Sequence, residues 1–232
     1  MEASRARLTA GRQQIELRMA RAAERAGLSA DSVRLIAVTK TLPVERIQAA
    51  LDLGLRALGE NRVQEAKEKF PRLAGSFEKH LIGHLQGNKA RAAAELFDWI
   101  QSVDSLELAR RLSRICGESG RTLRVLWEVN TSGEASKFGF DEQRLRREAR
   151  ELAGLPGLEA RGLMTLGPAP ESGRDPRPCF RALFGLRHAL EQELGRGLPE
   201  LSMGMSGDFE IAVEEGSTMV RIGTALFGPR ES

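Results

Sequence analysis

The chain has 232 residues, 41% of them hydrophobic and 29% charged, enough for one globular domain with a large core. Its 35 basic side chains face 32 interspersed acidic ones, a formal net charge of +3 that argues against a nucleic-acid-binding protein. Cys116 and Cys179 form no CxxC, which argues against a disulfide scaffold or thiolate metal site and fits a reducing cytoplasm, and no apolar run approaches the roughly 18 residues of a membrane span.

The first 27 residues read as an amphipathic helix rather than a signal peptide. From Val33 onward the chain alternates. Short apolar runs rich in β-branched residues predict strands over Val33–Thr39, Arg56–Gly59, His80–Gly83, Trp99–Val103, Leu123–Asn130, Leu158–Leu166, Leu201–Met205 and Met219–Ala225. Helical patterns fill the intervals: Val44–Gly54, Val63–Phe70, Lys89–Phe97, Ser105–Glu118, Asp141–Gly154, Arg177–Leu194 and Phe209–Glu215. Strands that take turns with helices form parallel β/α units. Eight of them in this length predict an α/β fold, a single (β/α)8 barrel of the TIM type with an extra N-terminal helix. We expect one domain over residues 1–232, with residues 1–27 packed on the barrel. No GxGxxG follows the first strand, which weakens a dinucleotide-binding sheet as the alternative. The Pro-rich stretch 167–178 follows the sixth strand and is either a lid over the active face or a plain surface loop.

Lys40 closes the first strand. A lysine at the end of a buried-type strand is costly to desolvate, and a desolvated lysine offers a neutral, nucleophilic amine. Barrels of this type build their sites at the C-terminal ends of the strands, and phosphate commonly binds after strands seven and eight. Strand seven ends in Met205-Ser206-Gly207-Asp208, and strand eight runs through Arg221-Ile222-Gly223-Thr224. Small residues and hydroxyls there suit an anion, although Ser206-Gly207-Asp208 reads equally as a helix cap. Arg221 shares a strand face with Gly223. It forms either a buried salt bridge or a contact to a heterocyclic nitrogen, which a permanently charged guanidinium would keep unprotonated. His80 and His84 lack a HExxH context and nearby cysteines, so no metal site is expected. No carboxylate lies close to Lys40 in sequence, which argues against a Schiff-base aldolase.

An ordered set of segments carries a resemblance. These are Ala37-Val38-Thr39-Lys40, Gly59-Glu60-Asn61 with Val63-Gln64-Glu65, Ile82-Gly83-His84-Leu85-Gln86 with Asn88-Lys89, Ser136-Lys137-Phe138-Gly139, Arg161-Gly162-Leu163-Met164, Gly204-Met205-Ser206 with Asp208, and Gly216 through Thr224. Across nearly its whole length the chain resembles the pyridoxal 5′-phosphate homeostasis proteins of the YggS/PROSC type, whose barrel is similar to the N-terminal domain of alanine racemase. The resemblance implies a Schiff base between Lys40 and the cofactor aldehyde, with Ser206, Gly223 and Thr224 on its phosphate. It further implies Arg221 at the pyridine nitrogen and Asn61 near the ring. Arg62 departs from the family pattern, where a tyrosine often stands. The chain contains no tyrosine at all, so the two-base chemistry of alanine racemase cannot run unchanged. The implied role is a cytoplasmic, monomeric carrier that holds or delivers pyridoxal phosphate and meets apoenzymes transiently, without nucleic acid or membrane. The alternative is a pyridoxal-phosphate-dependent racemase or related enzyme.

Overall fold

The computed structural model describes residues 2–134 and 136–228. Met1, Ala135 and residues 229–232 of the expected domain lie outside the described residues. Eight parallel strands close into one barrel in sequence order: β1 (Arg34–Val38), β2 (Ala57–Glu60), β3 (Glu78–Leu81), β4 (Trp99–Val103), β5 (Leu123–Glu128), β6 (Leu158–Met164), β7 (Glu200–Met205) and β8 (Met219–Ile222). The helices that return the chain are α2 (Val44–Asp52), α3 (Val63–Lys69), α4 (Ala90–Leu96), α5 (Leu106–Ser119), α6 (Glu142–Gly154), α7 (Arg177–Leu194) and α8 (Phe209–Glu214). Local chemistry sets several of their ends. The Ser105 hydroxyl accepts the Leu108 N–H at 3.3 Å at the start of α5, and the Asp141 carboxylate accepts the Arg144 N–H at 2.8 Å at the start of α6. Gly120 and Gly195 end α5 and α7 in left-handed conformations, which glycine adopts without steric cost.

The leading helix α1 (Glu2–Arg25) buries Leu8, Ile15, Met19, Ala22 and Ala23, a stripe at helical spacing. It packs against α8 and against α9 (Thr224–Phe227), the turn that follows the last strand. That turn departs from the sequence reading, which carried the eighth strand to Ala225. The backbone turns at Gly223 (φ −114°, ψ −82°) and coils.

Strand alternation sorts the barrel interior into layers. Arg34, Glu78 and Arg124 ring the N-terminal mouth, where Glu78 lies 2.9 Å from Arg124 and 3.4 Å from Arg34. Ile36, Ala57, Trp99, Leu126, Met164 and Met219 form a separate buried cluster. His80 stacks on Trp99 within the barrel, with ring centroids 5.5 Å apart. The next inward positions, Val38, Ile82, Glu128, Arg221 and Gly223, face a cavity at the C-terminal mouth. The barrel is therefore a filled core with a site on top.

Candidate functional site

A cavity of about 640 Å³ opens at the C-terminal ends of the strands. All six residues singled out in the sequence line it: Lys40, Asn61, Ser206, Arg221, Gly223 and Thr224. Val38, Leu42, Ile82, Leu166 and Phe227 supply apolar wall, and Gly167, Pro168 and Ala169 bring the start of the Pro-rich segment to the rim. Asn61 is held against β3's exit by a close approach. A Cβ on Gly83 would stand 2.8 Å from the Asn61 Cα, so that glycine admits the Asn61 backbone to the cavity edge.

Lys40 follows β1 and is half-buried. Its backbone is bracketed on both sides. Thr39, fully buried, donates its hydroxyl to Glu60 Oε1 at 2.7 Å, while Lys69 Nζ donates to the Thr39 carbonyl at 2.9 Å. Thr41 adopts a left-handed conformation (φ 64°), an uncommon state for a branched residue, and its N–H is bound by Glu65. Lys69 also reaches Glu60 Oε1 at 3.1 Å and Glu65 Oε1 at 2.5 Å. Burial pushes the Glu60 carboxyl up, opposed by the Thr39 hydroxyl and by Lys69. The fold thus places two carboxylates beside the end of the first strand, contrary to the expectation from sequence. Both are engaged with Lys69 and with Thr39 or Thr41, so they serve to fix the Lys40 backbone.

At the adjoining lip, where β8 pairs with β1, the Ser206 hydroxyl oxygen accepts from the N–H groups of Gly223 and Ala225, each at 3.3 Å. Two backbone donors and the Ser206 and Thr224 residues therefore meet at one small polar corner. The alternative reading of Ser206-Gly207-Asp208 as a simple helix cap does not describe it. Asp208 directs Oδ1 to the Met205 N–H at 2.6 Å, and no side-chain cap bond enters α8.

Arg221 forms the floor. It is buried, and its two hydrogen-bond partners are neutral: Ser202 Oγ at 2.6 Å and the Thr165 carbonyl at 2.8 Å. Ser202 in turn donates to Gln101 Oε1 at 2.6 Å, and Gln101 Nε2 lies 3.0 Å from His80 Nδ1. This chain of bonds fixes the guanidinium from below. Burial lowers its pKa to about 10, opposed by the charges of Asp208 and Glu128, so it remains protonated at neutral pH.

Glu128, at the end of β5, was not singled out in the sequence. It is 5% exposed, lines the cavity and, among the described residues, has no hydrogen-bond partner for Oε2. Burial, helped by the nearby Asp104 charge and opposed by Arg221, raises its carboxyl from 4.5 to about 7. Between those values the folded chain holds a proton that the unfolded chain has released, so this group lowers stability as pH rises from 4.5 through 7. The deficit above pH 7 reaches about 3 kcal/mol. Glu128→Gln is therefore expected to stabilise the chain by about 1–3 kcal/mol at pH 8 and by almost nothing near pH 4.5. Urea denaturation of both proteins at the two pH values checks this, and an equal gain at both would refute it.

The two histidines near strand three part company. His80 is sealed in the barrel, and burial lowers its pKa. His84 lines the cavity, with Nδ1 2.9 Å from Asp104 Oδ2 and its ring stacked 3.6 Å from that of Phe138. Lys137 also lines the cavity, with Nζ bonded to Glu134 Oε1 at 2.9 Å and to the Gly167 carbonyl at 2.7 Å.

Comparison with known proteins places the fold and the family. Residues 12–231 match the family model for the alanine racemase N-terminal domain. A pyridoxal phosphate homeostasis protein of Vibrio cholerae is 46% identical over 90% of this chain and 91% of its own length. The solved structure of PipY from Synechococcus elongatus, with pyridoxal phosphate bound, is 43% identical, covers 85% of this chain and 93% of that chain, and superposes with a TM-score of 0.78. An alanine racemase of Clostridium difficile, at 16% identity and a TM-score of 0.72, shares the fold over 87% of this chain and 53% of its own. A cavity at the mouth of an eight-stranded parallel barrel, lined by a strand-end lysine and a hydroxyl-and-amide corner, sits in a sequence that the Vibrio and Synechococcus relatives match over 90% and 85% of its length: the chain belongs to the pyridoxal phosphate homeostasis proteins, within the alanine racemase N-terminal domain family.

Proposed function

We propose that this protein binds pyridoxal 5′-phosphate reversibly and serves its homeostasis, holding the cofactor as a Schiff base on Lys40 and buffering or delivering it in the cytoplasm. The carrying observation is the placement of Lys40, Arg221 and the Ser206–Gly223–Thr224 corner around one cavity. The donor set fits the group. A phosphate accepts hydrogen bonds, and the Ser206 hydroxyl, its oxygen held by the Gly223 and Ala225 N–H groups, can donate its proton to one, with the Thr224 residue lining the cavity beside it. When bound, pyridoxal phosphate supplies an aldehyde carbon that condenses with a primary amine and releases water. The chain's own residues do the rest. Ser206, Gly223 and Thr224 hold the phosphate, Asn61 borders the ring, and the apolar wall excludes water. Arg221, locked by Ser202 and Thr165, presents a charged donor that keeps a ring nitrogen unprotonated. An unprotonated ring is a poor electron sink, which favours holding the cofactor over turning it over.

The racemase reading needs a second base facing Lys40 across the ring, and the sequence contains no tyrosine to provide it. We infer a monomeric carrier that meets apoenzymes only transiently, and a single barrel domain with the leading helix as part of it. Ser206→Ala is expected to weaken the hold on the cofactor tenfold or more, since a hydrogen bond to a charged group contributes about 1.5–3 kcal/mol. Equilibrium titration with pyridoxal phosphate measures it, and unchanged affinity would remove Ser206 from the site. The test of the whole reading is borohydride reduction of the loaded protein followed by peptide mass spectrometry. The reduced adduct is expected on Lys40, and an adduct confined to Lys137 or Lys89 would overturn the assignment.

A further inference from the structure

Glu128 is a buried acid that the carrier reading leaves without a task. Among the described residues its Oε2 has no hydrogen-bond partner, although the residue lines the cavity. Arg221, whose charge acts on it, is already committed to Ser202 and Thr165. Asp104, just beyond the end of β4, adds a second negative charge behind it and is itself bonded to His84. An orphaned acceptor backed by another carboxylate calls for a cationic donor from the cavity side. A divalent metal would need several more oxygen ligands, and among the described residues no cluster of three or more metal-type side chains exists. The surrounding wall of Val38, Leu42, Ile82 and Leu166 suits the carbon chain of an organic cation.

We propose that Glu128 is the acceptor of an ammonium subsite, through which a small primary amine enters the cavity and displaces the cofactor from Lys40. This rests on the reading that Lys40 carries the cofactor. The ammonium gives one proton to the Glu128 carboxylate and becomes a neutral amine. That amine adds to the Schiff-base carbon, a proton passes from the entering nitrogen to Lys40 Nζ, and the bond from that carbon to Nζ then breaks as the double bond re-forms to the entering nitrogen. Glu128 returns its proton to the departing Lys40 amine. No oxidant, reductant or water is consumed. Glu128 is thus a catalytic residue for release: bound cofactor leaves in response to amines. The carboxyl poised near neutrality, between the charges of Asp104 and Arg221, suits a group that must take up and return a proton.

Two measurements with ethylamine as the probe decide it. On the cofactor-free chain at pH 8, saturation-transfer NMR of the ethylammonium methyl protons is expected to show saturable binding that weakens at least tenfold in Glu128→Gln, while tetramethylammonium, which lacks N–H donors, does not compete. Absence of binding, or equal binding by both proteins, as an ordered water on Oε2 would give, overturns the subsite. On the loaded chain, borohydride quenching at intervals after ethylamine addition is expected to show the Lys40 adduct lost at least tenfold faster in the wild type than in Glu128→Gln. Equal rates overturn the proton-transfer role. A chain that never forms the Lys40 adduct fails the carrier reading at the start of the second measurement, and the first still decides the subsite.

Discussion

Lys40→Ala is expected to abolish both the Schiff-base absorbance and the borohydride-reducible adduct while leaving the barrel folded. The two halves of that expectation have separate causes. The covalent bond needs a primary amine, which alanine lacks, so the loss is complete rather than partial. The fold does not depend on the side chain, because the Lys40 backbone is set by its neighbours. Thr39 is anchored to Glu60 and Lys69, and the left-handed Thr41 is anchored to Glu65. Removing a half-buried side chain from such a frame is expected to change stability by about 1 kcal/mol or less. Lys40→Arg separates charge from chemistry: it keeps a cation at the strand end but no nucleophilic amine, and should lose the adduct as fully as alanine does. Both variants should still bind the cofactor weakly through the Ser206–Gly223–Thr224 corner. The informative competitor is Lys137, which lines the same cavity but is tied to Glu134 and to the Gly167 carbonyl. A chromophore that survives in Lys40→Ala and vanishes in Lys137→Ala would move the tether to that residue.

The barrel was readable because each strand is a short β-branched run between helical patterns, a contrast of period that needs no tertiary information. The strand-end rule then located Lys40, Ser206, Arg221, Gly223 and Thr224. What stayed hidden was of two kinds. The run Gly223-Thr224-Ala225-Leu226 is equally apolar as strand or as helix, so the turn at Gly223 and the Ala225 N–H it adds to the polar corner could not be foreseen. Other features depend on which residues meet. Glu60, Glu65 and Lys69 converge on Thr39 and Thr41 from β2 and α3, a meeting set by β1–β2 pairing rather than by spacing. Glu128 carried a faint signal: it stands two residues after Leu126 on the inward face of β5, where a carboxyl faces either the core or the site. With the strand expected to run on to Asn130, it looked like mid-strand rather than strand end.

Gly162 stands in the segment Arg161-Gly162-Leu163-Met164 and explains physically why that segment contains a glycine. It pairs with Leu126 on one side and Glu200 on the other, beside the register shift between β5 and β6. A Cβ there would fall on the Glu200 carbonyl oxygen, 2.7 Å from its carbon and 3.0 Å from its Cα, at a φ of 156°. The obstructing atoms are backbone in a paired strand, so relief requires β7 to move away from β6. Gly162→Ala is therefore expected to cost upwards of about 3 kcal/mol, a large part of the roughly 5–15 kcal/mol that keeps a domain folded. The damage should reach the cavity as well, because β7 carries Ser202, which fixes Arg221, and leads into Ser206. Gly197→Ala is the matched control, since nothing lies within 4 Å of a Cβ at that position. It should shift the urea midpoint little, or upward, because alanine narrows the unfolded ensemble. A Gly162→Ala protein that unfolds within about 1 kcal/mol of the wild type would mean that β6 and β7 do not approach as closely as described. A folded Gly162→Ala protein with weakened pyridoxal phosphate binding would instead show that the strain is absorbed at the mouth of the barrel, through the shift of β7 beneath Ser206.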